Sequence, residues 1–211
     1  MSDTEDLFAA ASGELAQRHP QIHRLYELVG PCVLRPPEVD EFTALARAIV
    51  FQQLTGKAAG TIWSRVVSAL DGSPDPQKVF DTPEEDLRAA GLSRNKATSV
   101  RDLAAKALDG SVPLTGMDQL PDEEIVTRLS AVRGIGVWTA EMFLIFHLRR
   151  LDVWPIGDLG VRKGYARAFE LDVVPSSKDL APLGEEFRPF RTVAAWYCWR
   201  AVDTITLDGA R

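Results

Sequence analysis

Apolar positions recur every three or four residues along much of the chain, the spacing of helices that bury one face. Phe42, Leu45, Ala46 and Ile49 mark one such face. Ala58, Ala59, Ile62, Val66 and Leu70 mark a second, after a break at Thr55-Gly56. Val100, Leu103, Ala104 and Ala107 mark a third, entered through Leu92-Ser93-Arg94-Asn95-Lys96. The stretch from Thr4 to Gly30 predicts one or two surface helices edged by Leu25, Leu28 and Val29, and Pro31, Pro36 and Pro37 predict an extended connector. Ser73-Pro74-Asp75-Pro76 reads as a turn. Thr82-Pro83-Glu84-Glu85 reads as a helix start, with Thr82 as N-cap, Pro83 in the first position and Glu85 closing a capping box. Pro121-Asp122-Glu123-Glu124 starts another helix, and a last one spans roughly Glu185 to Val202. Strand-like alternation is nearly absent, apart from short runs such as Val112-Pro113-Leu114. The pattern predicts an all-α protein.

Between two of these helices lies Gly134-Ile135-Gly136, where the two glycines allow a sharp turn with φ > 0 and Ile135 can plug the core. The following helix starts near Val137 and carries Trp138, Met142, Ile145 and Phe146 at helical spacing, ending at Arg149-Arg150. Its first amides, near Gly136 and Thr139, have no partner within the helix, and a phosphate can approach them closely where side chains are missing. Pro155 and Gly157 then shape a loop, and Asp158 opens the next helix. An Asp there serves as an N-cap whatever else it does.

Composition narrows the picture. The chain has 211 residues, enough for one globular unit or two small lobes, and no apolar run long enough to span a bilayer. The acidic start MSDTEDLF lacks the basic beginning of a signal peptide, so an intracellular, cytoplasmic location is expected, at the nucleoid if the source is bacterial. Net charge is −6, which argues against a generic nucleic-acid coat. Between Arg133 and Arg167, however, six Lys/Arg (Arg133, Arg149, Arg150, Arg162, Lys163, Arg167) face three acids, a local basic excess. Cys32 and Cys198 stand far apart, outside any Cys-x-x-Cys pattern, and cannot ligate an iron–sulfur cluster or zinc.

A helix-hairpin-helix followed one helix later by a Gly/Pro loop ending in Asp resembles the helix-hairpin-helix (HhH-GPD) DNA glycosylase superfamily. GIGVWTAEMF with the later Asp, AIVFQQLTGKAAGTIWSRV, GLSRNKA and FRPFRTVAAWYCWR are similar, more narrowly, to the 3-methyladenine DNA glycosylase II (alkylbase DNA glycosylase) family. The resemblance covers roughly residues 38 to 203. It implies two helical lobes with a cleft between them. The sequence departs from some family members in showing no β-rich segment ahead of the helices, so no N-terminal β domain is expected. The implied division is an N-terminal helical segment and connector over 1–37 and a glycosylase core over 38–211. Within that core, 38–120 is a first lobe, 121–170 the hairpin and catalytic Asp, and 171–211 the closing helix.

The implied activity is monofunctional, hydrolytic excision of alkylated purines such as 3-methyladenine and 7-methylguanine from double-stranded DNA, by a monomer that needs no membrane and no cofactor for catalysis. The resemblance assigns catalysis to Asp158, the DNA wedge to Gln53 and Leu54, phosphate binding to Gly134, Gly136 and Thr139, and the base pocket to Trp138, Met142, Leu159 and Trp199. It also implies a structural Na+ or K+ on the backbone carbonyls of Ser130, Val132 and Ile135. GLSRNKA lies near the DNA backbone in the family, so Arg94 or Lys96 either contacts a phosphate or forms a solvated turn. Bifunctional relatives carry a lysine two residues after the second hairpin glycine; here that position is Trp138. A non-catalytic DNA-binding or damage-sensing module, a bifunctional glycosylase/lyase for oxidised bases and a helical scaffold remain as alternatives.

Overall fold

The structure, a computed structural model, describes residues 3–205. Among these residues regular structure is helical and no strand forms. Twelve α-helices follow in order: α1 Asp3–Arg18, α2 Pro20–Val29, α3 Glu41–Phe51, α4 Gly56–Ala69, α5 Pro76–Asp81, α6 Glu84–Ala89, α7 Arg94–Leu108, α8 Asp122–Ser130, α9 Val137–Phe146, α10 Leu159–Ala168, α11 Ser177–Leu183 and α12 Arg191–Thr204. Short 3-10 turns occupy Met117–Gln119 and Glu185–Phe187. No helix among the described residues is long and apolar enough to cross a membrane.

The chain divides into two compact units. One holds the described residues up to Pro36 together with those from Leu144 onward, and the other is Pro37–Phe143. The expected first lobe and the glycine hairpin therefore fall in one unit, Asp158 and the closing helix in the other. The outer ends of the expected first and last segments, 1–2 and 206–211, lie outside the described residues.

In the first unit the two N-terminal helices are not surface decoration. Phe8, Leu15, Ile22 and Leu25 are buried with Phe187, Val193 and Tyr197, and the Tyr197 hydroxyl donates to the Gly30 carbonyl at 3.0 Å. The outer faces of α1 and α2 are exposed, as expected of surface helices; of the expected apolar edge Leu25 is buried and Leu28 is exposed. α10 lies directly against α12 because Gly160 and Gly164, spaced four apart, face it. A Cβ at Gly164 would sit 1.8 Å from the Cys198 carbonyl oxygen, so only glycine allows that backbone approach.

In the second unit α3 buries Phe42, Leu45, Ala46 and Ile49 as the periodicity predicts, and α7 buries Val100, Leu103 and Ala104. On α4 Ala59 and Val66 are buried as expected, with Leu70 just after the helix, but Ala58 is exposed and Ile62 half-buried. Three further local expectations change. Asp75 is not mid-turn: its carboxylate accepts from the Lys78 N–H at 2.9 Å and Pro76 occupies the first turn, so the segment nucleates α5. Thr82 caps nothing downstream, because its hydroxyl donates back to the Lys78 carbonyl at 2.7 Å and closes α5 instead. α6 then starts after Pro83 without a side-chain cap. Val112 is buried in irregular structure rather than in a strand.

Candidate functional site

The hairpin forms where the glycines place it. α8 ends at Ser130, Ile135 is buried, and the Ala140 N–H bonds to the Gly136 carbonyl as α9 begins. The two glycines differ in kind. Gly134 has φ +81°, and a Cβ there would meet Ser99 Oγ at 2.7 Å. Gly136 does not adopt a positive φ, and a Cβ there would meet nothing within 4 Å. No constraint inside the chain demands glycine at 136; the bare backbone instead leaves room for an outside group at the head of α9. Thr139 is buried one turn further on.

Beside the hairpin, α3 ends at Phe51 and the chain turns through Gln53, a non-glycine residue at φ +57°. Leu54 follows with 38% exposure at the tip. The Gln52 side-chain amide donates to the Gly134 carbonyl at 2.8 Å and so ties this tip to the hairpin. Lys96 is half-buried and tied to the backbone: its Nζ donates to the carbonyls of Val50 and Gln52, both at 2.7 Å. Burial lowers its pKa from the ordinary lysine value. Lys96 therefore serves the end of α3, while Arg94 at the head of α7 is exposed. Six residues beyond Lys96 along α7, Asp102 accepts the Arg133 N–H at 2.7 Å and pairs with Lys106 at 2.6 Å. Burial pushes the Asp102 carboxyl up, but the hydrogen bonds from Lys106 and Arg133 hold it below its ordinary value.

In the other unit Asp158 is the N-cap of α10, buried, with Oδ1 accepting from the Val161 N–H at 2.8 Å. The same oxygen accepts from the Trp199 indole N–H at 2.9 Å, across 41 residues of sequence. Gly160 makes that contact possible, since a Cβ there would lie 2.9 Å from the Trp199 ring and 3.0 Å from Asp158 Oδ1. Trp199 stacks on Phe146 with centroids 5.6 Å apart and planes 24° from parallel. Leu159, next to the carboxylate in sequence, is exposed.

α9 carries Trp138, Met142 and Phe146 at four-residue steps along one face, with Trp138 and Phe146 each 47% exposed and Met142 half-buried. The helix stops at Phe146, before the expected Arg149-Arg150, because Arg149 turns to φ +56°. Phe146 is absent from the residues the sequence singles out for a site. Its place four residues beyond Met142 is the signal that identifies it. The local basic excess also needs correction. Arg149 donates to the Leu34 carbonyl, Arg162 to that of Pro175, and Arg167 to that of Val202, so three of the six cations hold backbone rather than presenting a bare charged surface. No cluster of three His, Cys, Asp or Glu able to hold a metal occurs among the described residues.

The glycine hairpin with its apolar tip in one unit, and the capped Asp158 in the other, are the features to set beside known proteins. Residues 46–189 match the family described as HhH-GPD superfamily base excision DNA repair protein, and the chain belongs to that family. Within it the similarity is to the alkylbase enzymes. The DNA-3-methyladenine glycosylase 1 of Schizosaccharomyces pombe is 38% identical over 184 residues, 84% of this chain and 80% of that protein. The structure of the S. pombe 3-methyladenine DNA glycosylase in complex with abasic DNA superposes with a TM-score of 0.79 at 35% identity, covering 96% of this chain and all of that one. A DNA-3-methyladenine glycosidase from Bacillus halodurans gives 0.82 at 32% identity, over 90% of this chain and 87% of that one.

Proposed function

We propose that this protein is a monofunctional DNA glycosylase that flips alkylated purines out of duplex DNA and hydrolyses their N-glycosidic bonds, the first step of base excision repair. The observation that carries this reading is the buried Asp158 carboxylate, held at the head of α10 by the Val161 amide and the Trp199 indole. A cap alone needs one backbone donor. The second, distant donor fixes the direction of the carboxylate, as facing developing charge requires. The S. pombe relatives named for 3-methyladenine excision support the substrate class.

A base inside the duplex must be extruded before C1′ is reachable. Leu54, with Gln53 beside it, enters the stack and fills the vacated space. The backbone at Gly134, Gly136 and Thr139 holds a phosphate next to the lesion, with Gly136 leaving room for its approach. Cleavage moves the C1′–N bonding pair onto the leaving base, and positive charge grows on the sugar. Asp158 offsets that charge and orients the water whose oxygen joins C1′ as its proton passes to the carboxylate. Trp138, Met142, Leu159 and Trp199 contact the extruded base, and Phe146 supports Trp199 by stacking. Electron-rich indole faces favour a cationic ring by roughly 0.5 to 2 kcal/mol per contact. Purines alkylated at N3 or N7 supply both the cation and a weakened bond.

At the hairpin, the Ser130 hydroxyl is buried with no hydrogen-bond partner. In the same turn, the carbonyls of Ser130, Val132 and Ile135 are the groups that would hold a monovalent cation, which would supply structural charge under the phosphate site. The enzyme works as a monomer.

The test is base release from duplexes carrying 3-methyladenine, 7-methylguanine, hypoxanthine or 8-oxoguanine, measured with wild type and Asp158→Asn. The first two should leave fastest, hypoxanthine more slowly and 8-oxoguanine poorly. Asp158→Asn still caps α10 and should keep abasic-DNA affinity while losing most turnover. Faster release of 8-oxoguanine than of 7-methylguanine overturns the substrate reading, and near wild-type single-turnover rates in Asp158→Asn overturn the mechanism.

A further inference from the structure

The apolar tip at Leu54 is poorly supported by packing. Leu54 is partly exposed, Gln53 holds a left-handed φ, and a cavity of about 240 Å³ lined by Gln52, Gln53, Leu54, Ile62, Leu92 and Lys96 lies beside the tip. A loop that must push into stacked bases needs a rigid base, and here the support is polar. Lys96 Nζ grips the Val50 and Gln52 carbonyls, where α3 has run out of intrahelical partners. The Gln52 amide then reaches the Gly134 carbonyl.

The hairpin is held from the same helix. Ser99 packs under Gly134, closely enough that a Cβ there would meet its Oγ at 2.7 Å, and Asp102 accepts the Arg133 amide at 2.7 Å. Lys96, Ser99 and Asp102 fall at three-residue steps on one face of α7. All these groups lie in the unit Pro37–Phe143.

We propose that this face of α7 sets the register between the wedge tip and the phosphate-binding hairpin, with Lys96 and Gln52 as positioning residues for base extrusion. The inference rests on the wedge and hairpin roles given above. In base flipping the two elements act on one strand: the hairpin holds the phosphate while the tip displaces the neighbouring base. The displacement is productive only if their separation is fixed, because a tip that yields returns the extrusion force to its own loop. Lys96 suits this task better than a neutral cap, since one ammonium can satisfy two carbonyls at once and a charged donor makes the stronger bond. Gln52 extends the same support to the hairpin, so wedge and phosphate grip move as one piece.

The test measures single-turnover release of 7-methylguanine placed opposite cytosine, and opposite a mismatched adenine where extrusion is easier, with abasic-duplex affinity and thermal melting alongside. Lys96→Met should slow the paired substrate by roughly tenfold or more, the size expected for losing a charged hydrogen bond. The mismatched substrate should change by about twofold or less. Lys96→Arg should recover part of the paired rate. Gln52→Ala, at an exposed amide, should show the same selective loss in milder form, and it carries the test if Lys96→Met does not fold. The double variant should fall short of the product of the single effects, because both side chains hold one loop.

Leu54→Ala separates the two levels of the argument. If it slows paired and mismatched release equally, the wedge reading fails. If it shows the selective loss while Lys96→Met and Gln52→Ala do not, the wedge stands and the proposal is overturned. Equal slowing of both substrates by Lys96→Met, tracking a fall in melting temperature, also overturns it and leaves Lys96 as a helix cap.

Discussion

At the scale of single residues, the contact between Asp158 and Trp199 depends on two glycines that do different things. At Gly164 a methyl group would run into the Cys198 backbone carbonyl at 1.8 Å, and neither helix can yield without moving the other. At Gly160 it would meet the edge of the Trp199 ring at 2.9 Å, and a side chain can swing away. Gly164→Ala should therefore destabilise the fold by about 1–3 kcal/mol or more, as overpacking does. Gly160→Ala should melt close to wild type yet lose turnover, because the indole can no longer donate to Oδ1. Trp199→Phe, which keeps a ring and removes the N–H, should resemble it. Melting curves and single-turnover rates on 7-methylguanine duplexes check the pair of outcomes. A Gly160→Ala protein with wild-type rates would show that the indole donor is dispensable. The glycine spacing on α10 was visible in the sequence, but its meaning was not. Only the packing of α12 against it shows what the missing side chains leave room for.

At the scale of elements, local signals were legible and long-range ones were not. The glycine hairpin and the start of α9 follow from composition and period, as does the Asp158 cap. α5 escaped because Asp75-Pro76 supports a turn and a helix start equally well, and the downstream backbone decides between them. Thr82 was ambiguous for a related reason, since a hydroxyl between two short helices can serve the one before or the one after. The Lys96 grip on α3 spans 46 residues, and no periodicity announces such a contact. α9 yields a prediction of its own. Its exposed face is made by Trp138, Met142 and Phe146, and position 138, two residues after Gly136, holds an indole where a lyase needs an amine. Borohydride should trap no covalent adduct with DNA, and a strong trapped band would move the protein to the bifunctional class.

At the scale of the whole molecule, charge decides how DNA is held. The chain carries −6 overall. The sequence suggested a basic patch between Arg133 and Arg167, but Arg149, Arg162 and Arg167 direct their guanidinium groups at backbone carbonyls. The phosphate grip proposed here is made instead by backbone amides at a bare glycine. Amides bind a phosphate by hydrogen bonds and partial charge, and they displace fewer condensed counterions than side-chain cations do. Affinity should thus depend only shallowly on salt. A plot of log Kd for abasic duplex against log salt should have a slope corresponding to about two to four phosphates neutralised, each contributing roughly 0.9. Gly136→Ala should weaken binding at every salt concentration and leave the slope unchanged, since it obstructs an approach without removing a cation. A slope of about eight or more would mean that side-chain cations form the interface. A slope that flattens in Gly136→Ala would mean that the hairpin works by gathering charge rather than by presenting amides.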